Sequence, residues 1–177
     1  GRLILDAAPQ QVIDYYNALI AQKEQAVINV SERDGGAVAI ESGSYEASVE
    51  CVKLLKATGE ATEYVEVGEQ VTLAVRVRAH ASLDHLIFGY MIRGRLGQPM
   101  FGTNTHHTGQ RLSAVSKGHE VIFHVQFAAA LGPGSYSISV ALTETQDHLG
   151  KNYQWKDMAL LFTVVNAGHD YFIGSAW

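Results

Sequence analysis

Small hydroxyl-bearing side chains occupy one side of a predicted strand, and residues of this type bind ligands by hydrogen bonding. From Ser135 to Thr143 the sequence alternates with the period of two that is typical of a strand. One side of this strand is large and apolar: Tyr136, Ile138, Val140 and Leu142. The other side is small and mostly hydroxylated: Ser135, Ser137, Ser139, Ala141 and Thr143. We predict that Ser137, Ser139 and Thr143 form a floor that suits a polyhydroxylated ligand.

A second predicted strand, from Leu86 to Arg93, supplies longer side chains beside this floor. Its apolar side is predicted to face the core: Phe88, Tyr90 and Ile92. In the strand order of an immunoglobulin-like sandwich the two strands are neighbours, so Gly89, Met91 and Arg93 would adjoin the floor. We expect Met91 to pack on a ring face of the ligand and Arg93 to pair with an anionic or strongly polar group. The alternative is that this surface is ordinary solvent-facing sheet.

Polar and aromatic residues near the same end of the sandwich are predicted as walls of the site: Asn104, His106, Gln146, His148 and Trp155. The sequence leaves two interpretations open for Trp155 and its neighbour Tyr153. They either form a platform on which an apolar ring face of a ligand stacks, or close one end of the hydrophobic core. His106 and His107 do not predict a metal site, because adjacent strand residues point to opposite faces and no third ligand follows at a typical spacing.

Catalytic motifs give no support for an enzyme. Glu144 and Asp147 supply two carboxylates, as glycoside hydrolysis requires, but they lie in a polar loop without a fixed spacing, where a solvated turn is the simpler interpretation. The sequence contains neither a GxSxG nucleophile turn nor a GxxxxGK[ST] phosphate loop. We predict a binding domain without catalytic activity, cofactor or metal. A domain that only mediates dimerisation and a glycan-modifying enzyme are the alternatives.

The composition is that of one domain with a sizeable core. The chain has 177 residues, of which 47% are hydrophobic and 18% are charged. A net charge of −5 provides no basic field, so nucleic acid is a poor candidate for a partner. No apolar run approaches the roughly 20 residues of a membrane span, and no signal peptide opens the chain. A single cysteine, Cys51, cannot form an intrachain disulfide, and we predict a cytoplasmic location.

Turn residues divide the second part of the chain into short apolar segments, with no helical period between them. The predicted strands are Tyr45 to Leu55, Gln70 to His80, Leu86 to Arg93, Met100 to Asn104, Glu120 to Phe127, Ser135 to Thr143, Met158 to Val165 and Tyr171 to Trp177. These segments predict an all-β fold, an immunoglobulin-like antiparallel β-sandwich over residues 44–177 with a short N-terminal helix before it.

The first residues have the pattern of a helix. Pro9 fits a first helical turn, and apolar residues then recur at helical spacing as far as about Gln25. A single amphipathic helix is marginal in water, so we expect residues 1–25 to dock on a missing domain. Residues 26–43 are charged and contain glycine, which predicts a linker with a short strand at Ala37 to Glu41.

Several segments in this order resemble a known family: FGYMIRGRLGQPMFGTNT, LGPGSYSISVALTE, HLGKNYQWKDMALLFTV and HDYFIGSAW. They are similar to the C-terminal carbohydrate-binding domain of the Wzt-type nucleotide-binding subunit of O-antigen polysaccharide ABC transporters. The opening GRLILDAAPQQVIDYY resembles the tail and closing helix of an ABC transporter ATPase domain. The resemblance covers nearly the whole chain.

The resemblance implies a non-catalytic module that recognises O-antigen polysaccharide, often through a modified end, and couples it to export. It also implies a cytoplasmic position, peripheral to the inner membrane through the transporter's membrane subunit. The family further implies a homodimer, because the ATPase subunit works in pairs. Separately, the apolar segment Tyr171 to Trp177 predicts a terminal strand that joins its own sheet or is exchanged with the other protomer.

Overall fold

The computed structural model describes residues 3–9, 11–13, 15–16, 27–33, 37–146 and 151–177. Residues 9, 11–13, 15 and 16 are helical, and the Val12 amide donates a hydrogen bond to the Ala8 carbonyl at 3.1 Å. Pro9 therefore lies in the first turn, where no partner for its missing N–H is needed. The rest of the predicted helix, residues 17–25, and the predicted wall residue His148 lie outside the described residues.

Strands make up most of the described chain. In chain order they are β1 (Val27–Arg33), β2 (Ala37–Gly43), β3 (Ala47–Lys56), β4 (Tyr64–Glu66), β5 (Gln70–Ala79), β6 (Leu83–Gly94), β7 (Pro99–Asn104), β8 (Leu112–Val115), β9 (Glu120–Ala128), β10 (Gly134–Thr143) and β11 (Asn152–Val165). The large sheet has the order β1-β2-β11-β10-β6-β7, with β4 parallel to β11 and β8 antiparallel to β6. The small sheet has the antiparallel order β3-β5-β9. The predicted all-β, antiparallel sandwich is confirmed.

The core lies between the two sheets and is built by the predicted alternation. The inward residues of β5 are at most 2% exposed: Val71, Leu73, Val75 and Val77. The inward residues of β10 are also buried: Tyr136, Ile138, Val140 and Leu142. Phe88 of β6 stacks on Phe123 of β9 with 4.7 Å between ring centroids, which joins the sheets. Burial of these apolar surfaces is the main stabilising contribution and fixes the strands that carry the outward residues.

The segment predicted as a linker, residues 26–43, contains a β-hairpin instead. β1 and β2 pair along their full lengths, and β2 then joins β11, where Ser42 lies opposite Trp155. The short strand predicted at Ala37 to Glu41 is part of β2. β1 was missed because charged residues at its end outweighed the β-branched residues that favour a strand.

The prediction of a strand from Tyr171 to Trp177 is wrong. Within these residues the structure has an isolated bridge from Ala176 to Leu131, and the Trp177 amide donates to the Ala130 carbonyl at 3.2 Å. Gly174 adopts a φ of 142°, which interrupts the extended run that the apolar residues suggested. The strands β4 and β8 were also missed, because three or four residues are too few to show a period of two.

Candidate ligand-binding face

The predicted floor and its neighbours lie on the outer face of the large sheet, the side that points away from the small sheet. β10 lies between β6 and β11. Ser137 is opposite both Arg93 of β6 and Leu161 of β11, and Ser139 is opposite Met91. Directly opposite residues of antiparallel strands point to the same side, so these side chains share one surface.

Trp155 belongs to the same surface. It lies opposite Ala141 of β10 and Ser42 of β2, and its side chain is half-buried. The two residues next to it in this row, Ala141 and Gly89, are small. An indole ring beside small residues leaves room for a ligand to approach one of its sides.

Tyr153 has the other role that the sequence left open. It is 1% exposed within the core, and its hydroxyl donates to the His85 carbonyl at 3.1 Å. Burial raises the pKa of Tyr153, and the negative charges of Glu144 and Glu46 raise this pKa further. Tyr153 therefore closes the core, whereas Trp155 presents its ring to the outer face.

The floor of this face is recessed rather than open. Ser139 is 1% exposed, and its hydroxyl donates to Asp157 Oδ1 at 2.5 Å. The expectation that Ser139 offers a free hydroxyl to a ligand is not met in this structure. Ser137 and Thr143, on either side of Ser139, are partly exposed and keep the position that the sequence predicted.

Arg93 is also recessed and has a protein partner. Its Nη1 atom lies 3.4 Å from Asp157 Oδ1, and the two residues are 6% and 5% exposed. Its Nε atom lies 3.5 Å from the Met91 sulfur, and its guanidinium carbon lies 6.0 Å from the centroid of the Trp155 ring. A cation at this distance from an indole ring is weakly attracted to it. Arg93, which we expected to pair with an anionic or strongly polar group of the ligand, thus forms a recessed ion pair with Asp157.

Asp157 was not predicted, and an irregularity of β11 explains why. Between the pairs Val140–Lys156 and Ile138–Leu160 the register shifts, so three residues of β11 face the single residue Ser139. Met158 in this bulge has a φ of 46°. Bulges redirect side chains, and here the bulge brings the carboxylate over Ser139. Nothing in the local alternation signals this shift.

A cleft of about 480 Å³ adjoins one end of the outer face. Its lining combines both signs of charge with hydrogen-bonding groups and one apolar residue: His85, Ile87, His106, Arg111, Glu144, Thr145 and Gln146. Thr143 lies opposite Ile87, so the floor continues into the cleft. The cleft therefore brings together two of the predicted wall residues, His106 and Gln146. The sequence did not predict the remaining residues of the lining, because they come from separate strands and loops.

Asn104 supports the cleft without lining it. Its side-chain oxygen accepts a hydrogen bond from the His107 amide at 3.0 Å and so fixes the start of the loop that contains His106. On the other side, Gln146 Nε2 lies 3.3 Å from His107 Nε2. Of the predicted wall residues that the structure describes, His106 and Gln146 line the cleft, Asn104 shapes its loop, and Trp155 lies on the outer face.

The described residues bring together no group of three or more histidine, cysteine, aspartate or glutamate side chains that could hold a metal ion. Within the same residues, no helix is long and apolar enough to span a membrane. Of the two carboxylates considered for glycan hydrolysis, Glu144 lines the cleft and Asp147 lies outside the described residues.

The two packed antiparallel sheets define an immunoglobulin-like β-sandwich domain with a recessed outer face and an adjoining cleft. Residues 38–177 match the family described as the Wzt C-terminal domain. The chain therefore belongs to this family, whose members are domains of the Wzt transporter subunit.

One solved structure agrees with this assignment of the fold. The crystal structure of the C-terminal domain of wzt has 17% sequence identity and a TM-score of 0.70, and the match covers 84% of this chain and 87% of that chain. The DNA glycosylase AlkC of Pseudomonas fluorescens, bound to abasic-site DNA, has 14% identity and a TM-score of 0.43, with 69% of this chain and 31% of that chain covered. The PmoD soluble domain from Methylocystis sp. ATCC 49242 (Rockwell) has 16% identity and a TM-score of 0.37, with 77% and 96% covered. We infer nothing from the last two similarities. No curated protein matches the sequence.

Proposed function

We propose that this domain recognises the O-antigen polysaccharide and couples it to export by an ABC transporter. Membership of the Wzt C-terminal domain family supports the transporter context. The observation that carries the glycan assignment is the half-buried Trp155 on the outer face, next to small residues and a polar cleft. Sugars offer apolar ring faces and many hydroxyl groups, and this combination of surfaces complements both.

In this proposal Trp155 and Met91 contact ring faces, while Ser137 and Thr143 hydrogen-bond sugar hydroxyls. His106 and Gln146 contact the part of the glycan that enters the cleft. Recognition involves no covalent step. Binding should be weak at each site, because a glycan keeps much of its hydration and buries little apolar area.

The domain organisation follows the same proposal. Residues 1–25 are the tail and closing helix of a preceding ATPase domain, and the hairpin β1–β2 connects this domain to the sandwich. The protein would then lie in the cytoplasm, peripheral to the inner membrane through the transporter's membrane subunit. A homodimer would place two weak sites in one assembly, and avidity would raise the overall affinity.

Isothermal titration with lipid-free O-polysaccharide from the source strain tests the proposal, with an unrelated O-polysaccharide as the control ligand. We expect saturable binding of the first polymer alone. Trp155→Ala should weaken binding by about tenfold, since an aromatic contact contributes roughly 0.5–1.5 kcal/mol in addition to the apolar area that it buries. The matched variant is Ile122→Ala, because Ile122 is 58% exposed on the outer face of the small sheet. Equal affinities of the two variants would contradict the site assignment.

A domain that mediates dimerisation without glycan affinity is the second candidate. The exposed tail favours it, because Tyr171 and Ile173 are both 88% exposed. Large apolar residues exposed to this degree are typical of contact surfaces when they cluster. Sedimentation equilibrium of the wild type and of a Tyr171→Ser/Ile173→Ser variant tests this candidate. A dimer that the variant loses, together with no heat of binding for the polymer, would favour it over glycan recognition.

A further inference from the structure

The ion pair on the outer face determines which kind of glycan end the face can accept. We propose that Asp157 neutralises Arg93 and thereby makes the face selective for an uncharged glycan end over a phosphorylated or carboxylated one. The inference rests on the proposed function for its ligand, and it assigns Asp157 a role in specificity. It also replaces the expectation that Arg93 pairs with an anionic group of the ligand.

The geometry supports neutralisation in two ways. Asp157 Oδ1 receives the Ser139 hydroxyl at 2.5 Å and faces Arg93 Nη1 at 3.4 Å, so the carboxylate is held from two strands. Both charged side chains are less than a tenth exposed. Opposite charges in such a recessed place interact strongly, because little water screens them.

An incoming anion would meet an unfavourable environment at this position. It would have to displace Asp157 from Arg93 or accept repulsion from a carboxylate a few ångströms away. Displacement would leave Asp157 in a recessed place without its cationic partner, which is costly. A hydroxyl or ether oxygen carries no net charge and meets neither penalty.

The remaining charges on this surface do not restore a cationic site. In the described part of the cleft, Arg111 is accompanied by Glu144. Among the described residues, the recessed pair contributes one cation and one anion, Arg93 and Asp157, and the cleft lining contributes one of each, Arg111 and Glu144. Residues that make a surface attractive to phosphate normally leave an excess of positive charge.

Phosphate itself is the first probe, because it needs no knowledge of the glycan. The thermal unfolding midpoint of the 177-residue chain is measured in about 50 mM phosphate and in chloride of equal ionic strength. Phosphate stabilises many proteins non-specifically, so the doubly substituted Arg93→Met/Asp157→Asn chain provides the baseline. We expect the wild type to match this baseline. Asp157→Asn keeps an acceptor for Ser139 but removes the negative charge that faces Arg93, and phosphate should raise the midpoint of this variant by about 3 °C or more above the baseline.

Two results would overturn the inference. One is a wild type that phosphate stabilises beyond the baseline, since Arg93 would then be open to anions. The other is a folded Asp157→Asn variant that phosphate stabilises no more than the baseline. If Asp157→Asn does not fold, the comparison of the wild type with the doubly substituted chain still tests whether Arg93 is open to anions.

The second probe is the source-strain O-polysaccharide before and after its anionic groups are removed. Hydrofluoric acid cleaves phosphate esters, and carbodiimide activation followed by borohydride reduces carboxylates to alcohols. We expect the dissociation constant of the wild type to change less than about twofold, and binding of a naturally uncharged polymer is an equally supporting result. A loss of tenfold or more would contradict selectivity for an uncharged end. No binding of the untreated polymer would instead refute the proposed function, and the phosphate comparison would still decide the role of Asp157.

Discussion

The two sheets carry outward ion pairs in opposite environments. On the large sheet, Arg93 and Asp157 are recessed, and each is less than a tenth exposed. On the small sheet, Arg78 of β5 bridges Glu50 of β3 at 2.5 Å and Glu120 of β9, but all three side chains are at least a quarter exposed. An outward-facing arginine and its carboxylate partners therefore form a buried pair on one face and a solvated network on the other.

The difference follows from how each face is built. The small sheet has three strands in nearly regular register, and long polar side chains stand in solvent along β5 and β9. In the large sheet the bulge of β11 turns Asp157 towards Ser139, and Arg93 lies close to Trp155. Alternation therefore predicts the side of the strand on which a residue lies, whereas neighbours distant in sequence determine whether that side is exposed to solvent.

The largest expected effect is on the recessed pair. Asp157→Asn should lower the free energy of unfolding by about 3–5 kcal/mol, because a recessed cation then loses the carboxylate that faces it. Urea unfolding followed by circular dichroism measures the change. The doubly substituted Arg93→Met/Asp157→Asn chain should recover most of the loss, because replacing a buried pair by uncharged groups is often close to neutral. If the single and the double variant are equally unstable, the loss comes from the substitution at Asp157 itself and not from the charge that remains on Arg93.

Most of the sandwich was predictable because strands with one buried side alternate. The inward residues of β5 and β10 were assigned correctly for this reason, and the adjacency of β6 and β10 followed from the usual order of such sandwiches. Contacts that depend on irregular backbone were not predictable. The bulge that presents Asp157 and the glycine conformation that turns the C-terminal tail have no signature in the alternation.

The site was predictable only in part, for a related reason. Met91, Arg93 and Ser137 were placed on one surface by the period of two, and the structure has them there. The burial of Arg93 was not foreseen, since burial depends on residues from other strands. The lining of the cleft combines two residues of β6, His85 and Ile87, with residues of loops, such as Arg111 and Thr145, and no periodic pattern connects them.

A connection between the two sheets gives the second prediction. Gln154 is 2% exposed, its side-chain oxygen accepts from the Val49 amide of β3 at 2.5 Å, and its Nε2 donates to the Glu41 carboxylate of β2. Gln154→Leu should cost about 1–3 kcal/mol, because the Val49 amide loses its partner in a buried place. Gln126→Leu, at an exposed position of β9, is the matched control and should have little effect. Equal effects in urea unfolding would mean that the bridge adds no stability.

Alkaline pH tests the packing behind the outer face. Burial raises the pKa of Tyr153, and it also raises the pKa values of Tyr90 and Tyr136. A tyrosine whose pKa is higher in the folded state than in the unfolded chain stabilises the fold fully below pH of about 10, and this contribution is lost as the pH rises further. The free energy of unfolding should therefore fall above this pH, and less steeply for Tyr153→Phe. Parallel profiles of the two proteins would contradict the role of Tyr153.

The smallest effect is expected on the small sheet, and salt separates it from the first prediction. Glu120→Gln removes one of the two carboxylates around Arg78, but the pair lies in solvent, where water and counterions already weaken the attraction. We expect a slight decrease of the urea midpoint at low ionic strength that disappears in roughly 1 M sodium chloride. The loss caused by Asp157→Asn should persist in the same salt, because a recessed pair is poorly screened. If salt abolished both effects alike, Arg93 and Asp157 would be as accessible to ions as Arg78 and Glu120, and the outer face could not select its ligand by charge.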